Sequence, residues 1–321
     1  MNRFLQIFSV VALFSACGGK PVTPEPKPID PVVDSEGDKA GETWADPTGV
    51  KGGKYISNGK IQIGVDPARG GTIFHFSEAG KKKNLVNHYD EGREIQQSYY
   101  GWADGSSWNG QSWVWNPVQG GSASGVKGKI VSDDSTDEKI EITSTPVLWA
   151  SGEMASDCVM KEVITLEGEV AHIKFTFKYS GSNKGDARHQ ELPAFFVDWD
   201  LKNFIYYDGG TAWSSTKKNS YVPARLDQTG KNEYKNLPER WAAYVDDSGW
   251  GIGLYSPACS QCTLYRFSAG PGGAKNSSCS YFAPIATMAV TANWTYTYDV
   301  YITIGTSDEI RQRFSDIHSK K

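Results

Sequence analysis

The sequence lacks the short motifs that mark several large enzyme classes. It contains no G-x-S-x-G, no P-loop, no H-E-x-x-H and no dinucleotide fingerprint in a βαβ setting. Those motifs position a nucleophilic serine, a phosphate group, a zinc ion and a nucleotide cofactor, respectively. Their absence argues against covalent serine chemistry and against nucleotide cofactors.

Long apolar runs and an excess of one charge are also missing. The longest N-terminal apolar stretch, Phe4 to Phe14, is shorter than the roughly 20 residues that a membrane-spanning helix needs. The net charge is -4, without the clustered basic face of nucleic-acid binders, so we expect no nucleic-acid partner. No repeat of fixed period is evident, which argues against a propeller.

The N-terminus is typical of an exported lipoprotein. Residues 1–16 place one arginine before an apolar run and small residues, which predicts a secretory signal peptide. The segment "LFSAC" resembles a bacterial lipobox, which would make Cys17 the lipidated first residue, with palmitate among its acyl chains. An ordinary cleaved signal with a chance cysteine is the alternative. Residues 17–52, rich in Pro, Gly and charge, then form a tether, and we expect a location at the outer membrane, periplasmic or surface-exposed.

Four further cysteines, Cys158, Cys259, Cys262 and Cys279, make an even number in an exported chain. Disulfide bonds are the usual state of such cysteines, so we expect structural disulfides, with three possible pairings. The spacing of Cys259 and Cys262 also occurs in redox and zinc sites. No second C-x-x-C and no spaced pair of histidines supports that alternative.

Alternation with a period of two dominates residues 53–321, about 270 residues that can form one large domain. In "WTYTYDVYITIG" it places Trp294, Tyr296, Tyr298, Val300, Ile302 and Ile304 on one face, and "AHIKFTFKYSG" does the same for Ile173, Phe175, Phe177 and Tyr179. Only "TSDEIRQRFSDIHSKK" predicts a helix, with Thr306 and Glu309 as a capping box. Strands at this density predict an all-β sandwich of antiparallel sheets with a short C-terminal helix.

The order of several motifs carries a family resemblance. "NGKIQIGVDPARGGTIFHFSE", "NLVNHYDEGREIQQSYYG", "WNPVQGG", "HQELPAFFV", "ERWAAYVDDSGWGIGLYSP" and "SYFAPI" together resemble secreted Bacteroidota carbohydrate-active proteins with a galactose mutarotase-like supersandwich. The resemblance spans nearly all of Lys54 to Phe314. It implies a substrate lying across the concave face of the larger sheet, but that fold hosts epimerases, lyase domains, accessory domains and glycan binders, so it does not give the reaction.

The stretch "GREIQQSYYG" carries polar groups on both sides of a predicted strand. Alternation places Arg93, Gln97 and Tyr99 on one face, with Tyr100 and its neighbours on the other. A buried face bearing Arg and Gln is costly unless it borders a wet cleft, so we predict a polar cleft floor. There Arg93 and Gln97 bind substrate, Tyr99 transfers protons and Tyr100 adds a contact. A solvated strand with Arg93 in an ordinary salt bridge is the alternative.

The next segment, "GWADGSSWNGQSWVWNPVQGG", is a long loop that contains four tryptophans. Loops expose what they carry, and flat aromatic rings suit the apolar faces of pyranose rings. We therefore predict that Trp115, Asn116 and Gln119 contact sugar. The alternative is a loop whose tryptophans only cover the edge of the sandwich.

Two further segments offer groups for proton transfer. His189 and Glu191 share one face of an extended strand, where each can shift the pKa of the other toward neutrality. Glu239 precedes a strand that begins at Trp241, and we predict a catalytic role for Glu239 and a binding role for Trp241. The alternatives are that His189 has a structural role through a hydrogen bond, and that Glu239 forms a salt bridge at the rim of the site.

These residues favour an extracellular enzyme that cleaves an acidic, uronate-bearing polysaccharide or oligosaccharide by β-elimination, as a lyase or dehydratase. The first alternative is a glycoside hydrolase with Glu191 and Glu239 as its carboxylate pair, in which Glu94 or Asp198 could replace either. The second is a non-catalytic glycan-binding lipoprotein, and a mutarotase-like isomerase is less favoured. We expect a monomer without a cofactor; calcium could neutralise a uronate, but no dense aspartate cluster marks its site.

Overall fold

The structure is a computed structural model that describes residues 50, 52–79, 81, 83–214, 217–223, 225–226 and 232–320. The predicted signal peptide, Cys17 and the predicted tether up to residue 49 lie outside the described residues. The described part consists of strands, one 3-10 turn at Pro67–Arg69 and one C-terminal helix, which confirms the predicted fold class. Within it, no helix is both long enough and apolar enough to cross a membrane.

The strands are short and numerous, as the dense turn residues predict. In chain order they are β1 (Lys54–Ser57), β2 (Ile61–Asp66), β3 (Thr72–Glu78), β4 (Ile95–Ser98), β5 (Ser107–Trp108), β6 (Gln111–Ser112), β7 (Pro117–Val118), β8 (Lys129–Asp133), β9 (Lys139–Thr145), β10 (Val147–Leu148), β11 (Cys158–Glu167), β12 (Val170–Tyr179), β13 (Arg188–Asp198), β14 (Asn203–Tyr206), β15 (Asn219–Tyr221), β16 (Arg225–Leu226), β17 (Glu233–Asn236), β18 (Trp241–Val245), β19 (Trp250–Tyr255), β20 (Gln261–Phe267), β21 (Cys279–Met288) and β22 (Trp294–Thr306). The helix, α1, is Ser307–Ser319.

Two large sheets and one small hairpin contain these strands. The first sheet has the order β1-β2-β3-β4-β13-β21-β20-β16, with β17 also beside β20 and the pair β7 and β10 beside β4. The second sheet has the order β15-β14-β18-β19-β22-β12-β11-β9-β8. Strands β5 and β6 pair only with each other, and the one parallel contact among the described strands joins β16 to β20.

Alternate residues of both sheets fill the space between them. In the second sheet Ile173 pairs with Val300 and Phe175 with Tyr298, and all four side chains are buried. Lys174, which lies between Ile173 and Phe175 on β12, is exposed. Burying each large apolar side chain contributes about 1.5–3 kcal/mol, and the predicted alternation of both strands is confirmed.

The first sheet buries residues on both of its faces. Its inner face joins the main core, and a separate apolar cluster covers the opposite face, which we call the outer face. That cluster consists of Ala194, Phe196, Tyr265, Phe267, Cys279, Tyr281 and Ala283. A register shift in β13 between Glu191 and Phe195 adjusts which side chains reach this face.

Helix α1 covers the face of the second sheet that points away from the first sheet. Thr306 accepts a hydrogen bond from the backbone N–H of Glu309, whose carboxylate accepts one from the backbone of Thr306. This is the predicted capping box, and it satisfies backbone donors at the start of the helix. Ile310 and Phe314 are buried on the side that packs against Trp241.

The predicted disulfide bonds are not formed in the described part of the chain. Cys158 lies in the second sheet and Cys279 on the outer face of the first, while Cys259 and Cys262 belong to the main core. Burial raises the pKa of Cys259 to about 12 and that of Cys262 further. These two thiols are therefore protonated, and they pack as small apolar groups.

A polar group lies inside the sandwich, between the two sheets. Glu162 on β11 is fully buried, and its carboxylate accepts a hydrogen bond from the amide of Gln119 at 3.2 Å. The amide of Gln97 donates to the carbonyl of Lys161 at 3.2 Å. Burial raises the pKa of Glu162 to about 8, so this side chain is a neutral acid at neutral pH.

Candidate functional site

The site is on the outer face of the first sheet, where β4 lies beside β13. Ile95, Gln97 and Tyr99 point into the interior, so Gln96 and Ser98 point outward. Ser98 lies directly opposite Glu191 in the pairing of β4 with β13. The register therefore brings Ser98, the last residue of β4, next to the carboxylate that the sequence predicted as catalytic.

Tyr100 contacts that carboxylate directly. Its hydroxyl is hydrogen-bonded to Glu191 and to Ser98. Burial and, second, the charge of Glu191 raise the pKa of Tyr100 well above its ordinary value. The phenol therefore stays protonated and donates its hydrogen to the carboxylate.

Tyr234 approaches the same carboxylate from another strand, on the same outer face of the sheet. It lies on β17 opposite Thr263, which in turn lies opposite Ala283. These small neighbours leave room for the Tyr234 ring to lie across the outer face. Burial is the main cause that raises the pKa of its hydroxyl, a hydrogen bond with Thr263 opposes the shift, and the charge of Glu191 adds to it. The ring is 47% exposed, so a ligand can reach it.

His189 stands two residues before Glu191 on β13 and is half-buried. Its ring centroid lies 5.7 Å from that of Tyr234. Its Nδ1 is buried without a hydrogen-bond partner among the described residues. The structure thus groups His189, Glu191, Tyr100 and Tyr234 on one face, while the proton-transfer roles of His189 and Glu191 stay predictions.

A narrow pocket lies beneath this group. It is lined by Gly92, Gln96, Ser98, Tyr100, Asn116, Val118, Trp149, Glu191, Ala194 and Phe196. The pocket has room for about one water molecule. A ligand larger than water would therefore lie above it, against the exposed side of Tyr234 and His189.

Comparison with solved structures identifies the architecture. A galactose mutarotase-like protein from Lactobacillus casei aligns with 79% of this chain and 100% of its own, at a TM-score of 0.51 and 10% identity. A galactose mutarotase related enzyme from Lactobacillus acidophilus aligns with 78% of this chain and 97% of its own, at a TM-score of 0.50 and 9% identity.

The chain has a galactose mutarotase-like fold. At such low identity the likeness concerns the fold alone, and it agrees with the fold that the sequence resemblance implied. No protein-family model matches the sequence, and no curated protein matches it. The larger sheet of this galactose mutarotase-like fold is the one that carries Glu191.

Arg93 does not lie on the predicted face. Glu94 has a positive φ of 76°, so the alternation that holds from Ile95 onward breaks before it reaches Arg93. The guanidinium is 1% exposed, donates to Asn87 at 3.1 Å and forms an ion pair with Asp90 at 3.5 Å. It is engaged by the protein itself, so the prediction that Arg93 binds substrate is wrong.

The sequence prediction is also wrong about the positions of Tyr99 and Trp115. Tyr99 lies in the main core, stacked on Phe177 with ring centroids 4.0 Å apart. Trp115 is stacked on Trp102 at 4.5 Å and packs at the edge of the same core. Neither side chain reaches the outer face, which corrects the proton-transfer role of Tyr99 and the sugar contact of Trp115.

Three amides have structural roles. Gln97 and Gln119 belong to the buried group around Glu162, so their predicted contacts with substrate are wrong. Asn116 does line the pocket. Its amide donates to Ser98 at 3.1 Å and to the carbonyl of Tyr99 at 2.8 Å, so it holds Ser98 in place beneath the site.

Glu239 and Trp241 belong to the opposite side of the molecule. The carboxylate of Glu239 accepts two hydrogen bonds from Arg311 on α1, at 2.9 and 2.6 Å, and one from the indole of Trp241 at 2.7 Å. Both lie where the helix packs on the second sheet. The predicted catalytic pair of Glu191 and Glu239 is therefore wrong, and so is the binding role of Trp241.

The other carboxylates proposed for such a pair are engaged as well. Glu94 is bonded to Thr72 and to Arg69, the latter at 2.8 Å. Burial raises the pKa of Glu94 to about 7 although Arg69 opposes the shift. Asp198 accepts backbone hydrogen bonds from Asp200 at 3.1 Å and from Gly273, in the loop between β20 and β21, at 3.0 Å. In the part of the chain that is described, no three side chains of His, Cys, Asp or Glu are grouped to hold a metal ion.

Sequence reasoning missed Ser98, Tyr234 and Trp149. Alternation could have identified Ser98, since it lies on the face opposite Gln97. The prediction chose the face of Gln97 as the substrate-binding face, which was wrong. Tyr234 and Trp149 carry no local signal, because each belongs to a short strand or turn whose partner is distant in sequence.

Proposed function

We propose that this protein is a carbohydrate-active enzyme that transfers protons on a sugar bound over Glu191. The observation that carries the proposal is a single carboxylate held by Tyr100, neighboured by Tyr234 and placed beside the half-buried His189. Glu191 is the base. His189 is the acid, because its half-buried ring lies on the same face as Glu191, whereas the raised pKa of Tyr100 makes its phenol a poor acid.

A base and an acid on one face suit isomerisation at the anomeric centre of a sugar. The base removes the proton of the anomeric hydroxyl while the acid protonates the ring oxygen, and the ring opens without net change in composition. The solved structures with this fold are named for galactose mutarotase, which supports the same class of reaction. The substrate would lie across the larger sheet, with Tyr234 against one ring face.

β-Elimination, which the sequence favours, has weaker support from the geometry. It needs a group that neutralises the carboxylate of a uronate, and Arg93 and Gln97, the residues predicted to bind substrate on β4, are engaged elsewhere. Hydrolysis needs two carboxylates flanking one bond, and Glu239 lies on the other sheet. Both reactions stay as outcomes of the experiment below.

The soluble part, residues 50–321, should be incubated with neutral, sulfated and uronate-bearing sugars of several lengths. We expect faster exchange between anomers, measured by NMR exchange spectroscopy, with no change in product mass. An unsaturated or dehydrated product would instead support elimination, and a hydrated fragment would support hydrolysis. Binding without any conversion would support the non-catalytic glycan binder, and neither binding nor conversion would refute the proposal.

We also propose that Cys17 carries a lipid, including palmitate, and that it anchors the protein at the outer membrane. The apolar segment before it and the Pro-rich residues after it support this location. Labelled palmitate should enter the full-length protein and should fail to enter Cys17→Ala. Equal labelling of the two chains would refute the anchor.

A further inference from the structure

A tryptophan-bearing hairpin rises next to the site. Strands β5 and β6 are joined by Asn109 and Gly110, with φ of 49° and 73°. Two consecutive residues with positive φ are typical of the tight turn that matches the twist of a hairpin. The turn therefore fixes the position of Trp108, which directly precedes it.

The two ends of this hairpin have different environments. At its base, Trp102 and Trp115 stack on each other and pack into the core. Toward its tip, Trp108 contacts Trp113 and Trp149, with ring centroids 5.0 and 5.7 Å apart. Both of these contacts are edge-on and neither is a parallel stack, and Trp108 is only half-buried. Its indole is therefore available to a ligand, unlike that of Trp115.

Residues around the tip of the hairpin contact residues of the site. Trp113 contacts the ring of Tyr100 at 6.4 Å, and Trp149 lines the pocket together with Glu191. Gly92 makes this packing possible, because a Cβ there would lie 2.5 Å from the Trp149 ring. A row of contacting aromatic rings thus runs from the carboxylate, through the buried Tyr100 and Trp149, to the half-buried Trp108.

Trp108 does not belong to the group of residues around Glu191. Trp149 follows β10, which lies three strands from β13 through β7 and β4. Strands are about 4.8 Å apart, so the backbones at Trp149 and Glu191 are roughly 14 Å apart. The Trp149 side chain nevertheless lines the pocket with Glu191, whereas Trp108 contacts Trp149 and does not line the pocket. A monosaccharide over Glu191 therefore contacts the pocket lining, which does not include Trp108.

We propose that Trp108 forms a second sugar subsite, so that the substrate is an oligosaccharide or polysaccharide chain rather than a free monosaccharide. This inference rests on the proposed function at Glu191 and names the class of its substrate. A sugar unit next to the reacting one lies against the indole, as apolar pyranose faces do on aromatic rings. The alternative is that Trp108 only shields Trp113 and Trp149 from water.

The test compares chain lengths. Dissociation constants should be measured by calorimetry for glucose, galactose, mannose and glucuronate, each as the monosaccharide and as its linear tetrasaccharide. The proteins are the wild type, Trp108→Ala, Trp108→Phe and a control, Trp250→Ala. Trp250 is a half-buried tryptophan on the second sheet, beneath Lys81, and it is remote from Glu191.

We expect the wild type to bind at least one tetrasaccharide more tightly than its monosaccharide. Trp108→Ala should weaken the tetrasaccharide roughly tenfold, the scale of one lost aromatic contact, and leave the monosaccharide unchanged. Trp108→Phe should retain most of the affinity, and Trp250→Ala all of it.

The possible failures are distinguishable. If the wild type binds both lengths and Trp108→Ala leaves their difference unchanged, or weakens both equally, the subsite is refuted and the proposed function stands. If the wild type binds none of these sugars, both proposals fall. Thermal unfolding of each variant identifies one that has lost its fold. If Trp108→Ala has lost its fold, Trp108→Leu, which keeps apolar bulk without a flat ring, replaces it and should show the same selective loss for the tetrasaccharide; unchanged affinity in folded Trp108→Leu would refute the subsite.

Discussion

Glu191→Gln is expected to lower kcat by roughly 100- to 10,000-fold, the usual contribution of a positioned general base. Glutamine has the size of glutamate and still accepts the hydrogen bond from Tyr100, but it cannot take a proton at neutral pH. KM should change little, because the shape of the outer face is kept. The measurement is the rate of anomer exchange, or of whichever conversion the sugar panel reveals, over a range of sugar concentrations.

Glu239→Gln is the matched control for this prediction. It makes the same chemical change in a buried carboxylate on the opposite side of the sandwich, where the charge pairs with Arg311. Breaking a buried ion pair costs roughly 3 kcal/mol, so this variant should unfold at lower denaturant and keep its activity per folded molecule. A wild-type rate for Glu191→Gln, or a lost rate for folded Glu239→Gln, would contradict the assignment of the site.

Stability is expected to fall as pH rises from about 5 to about 8, by about 1.4 kcal/mol per pH unit for one fully titrating group. The cause is Glu162, whose pKa of about 8 in the fold exceeds the ordinary value of 4.5. Below pH 4.5 the side chain is protonated whether the chain is folded or unfolded. Between the two pKa values only the unfolded chain releases the proton, so rising pH favours unfolding. Urea unfolding at several pH values measures this slope.

Glu162→Gln tests the origin of the slope. Glutamine resembles the neutral acid in shape and can keep a hydrogen bond to Gln119, so the variant should be more stable than the wild type near pH 8. Its slope should be reduced but not absent, because Glu94, with a pKa of about 7, titrates in the same direction. If the unfolding free energy of the two proteins has the same dependence on pH, burial does not raise the pKa of Glu162.

Local patterns were sufficient for the elements of the second sheet and for the helix. Ile173, Phe175 and Tyr298 alternate with polar residues because only one face of that sheet is buried, so period two identifies the core directly. Thr306 and Glu309 form the predicted capping box because its contacts span only three residues. These features depend on neighbours in sequence and need no knowledge of the rest of the chain.

The first sheet was harder to predict, because both of its faces are buried. Gln97 and Tyr99 on one side of β4, and Ser98 and Tyr100 on the other, are all shielded from solvent. Alternation separates the two sets but does not say which set lies between the sheets. Polar residues occur on both faces of β4, so their presence did not mark the ligand-facing side. In addition, the positive φ of Glu94 moves Arg93 out of the alternation that Ile95 begins.

The sequence by itself determined the all-β class, the buried faces of β12 and β22, the capped helix, and the placement of His189 beside Glu191. Tertiary structure alone decided that Tyr100 and Tyr234 meet Glu191, that Glu239 is held by Arg311, and that the described cysteines form no disulfide bond. The reason is physical. Alternation and capping are set by covalent neighbours, whereas a site on a sheet is set by strand order and register, which join residues that are distant along the chain.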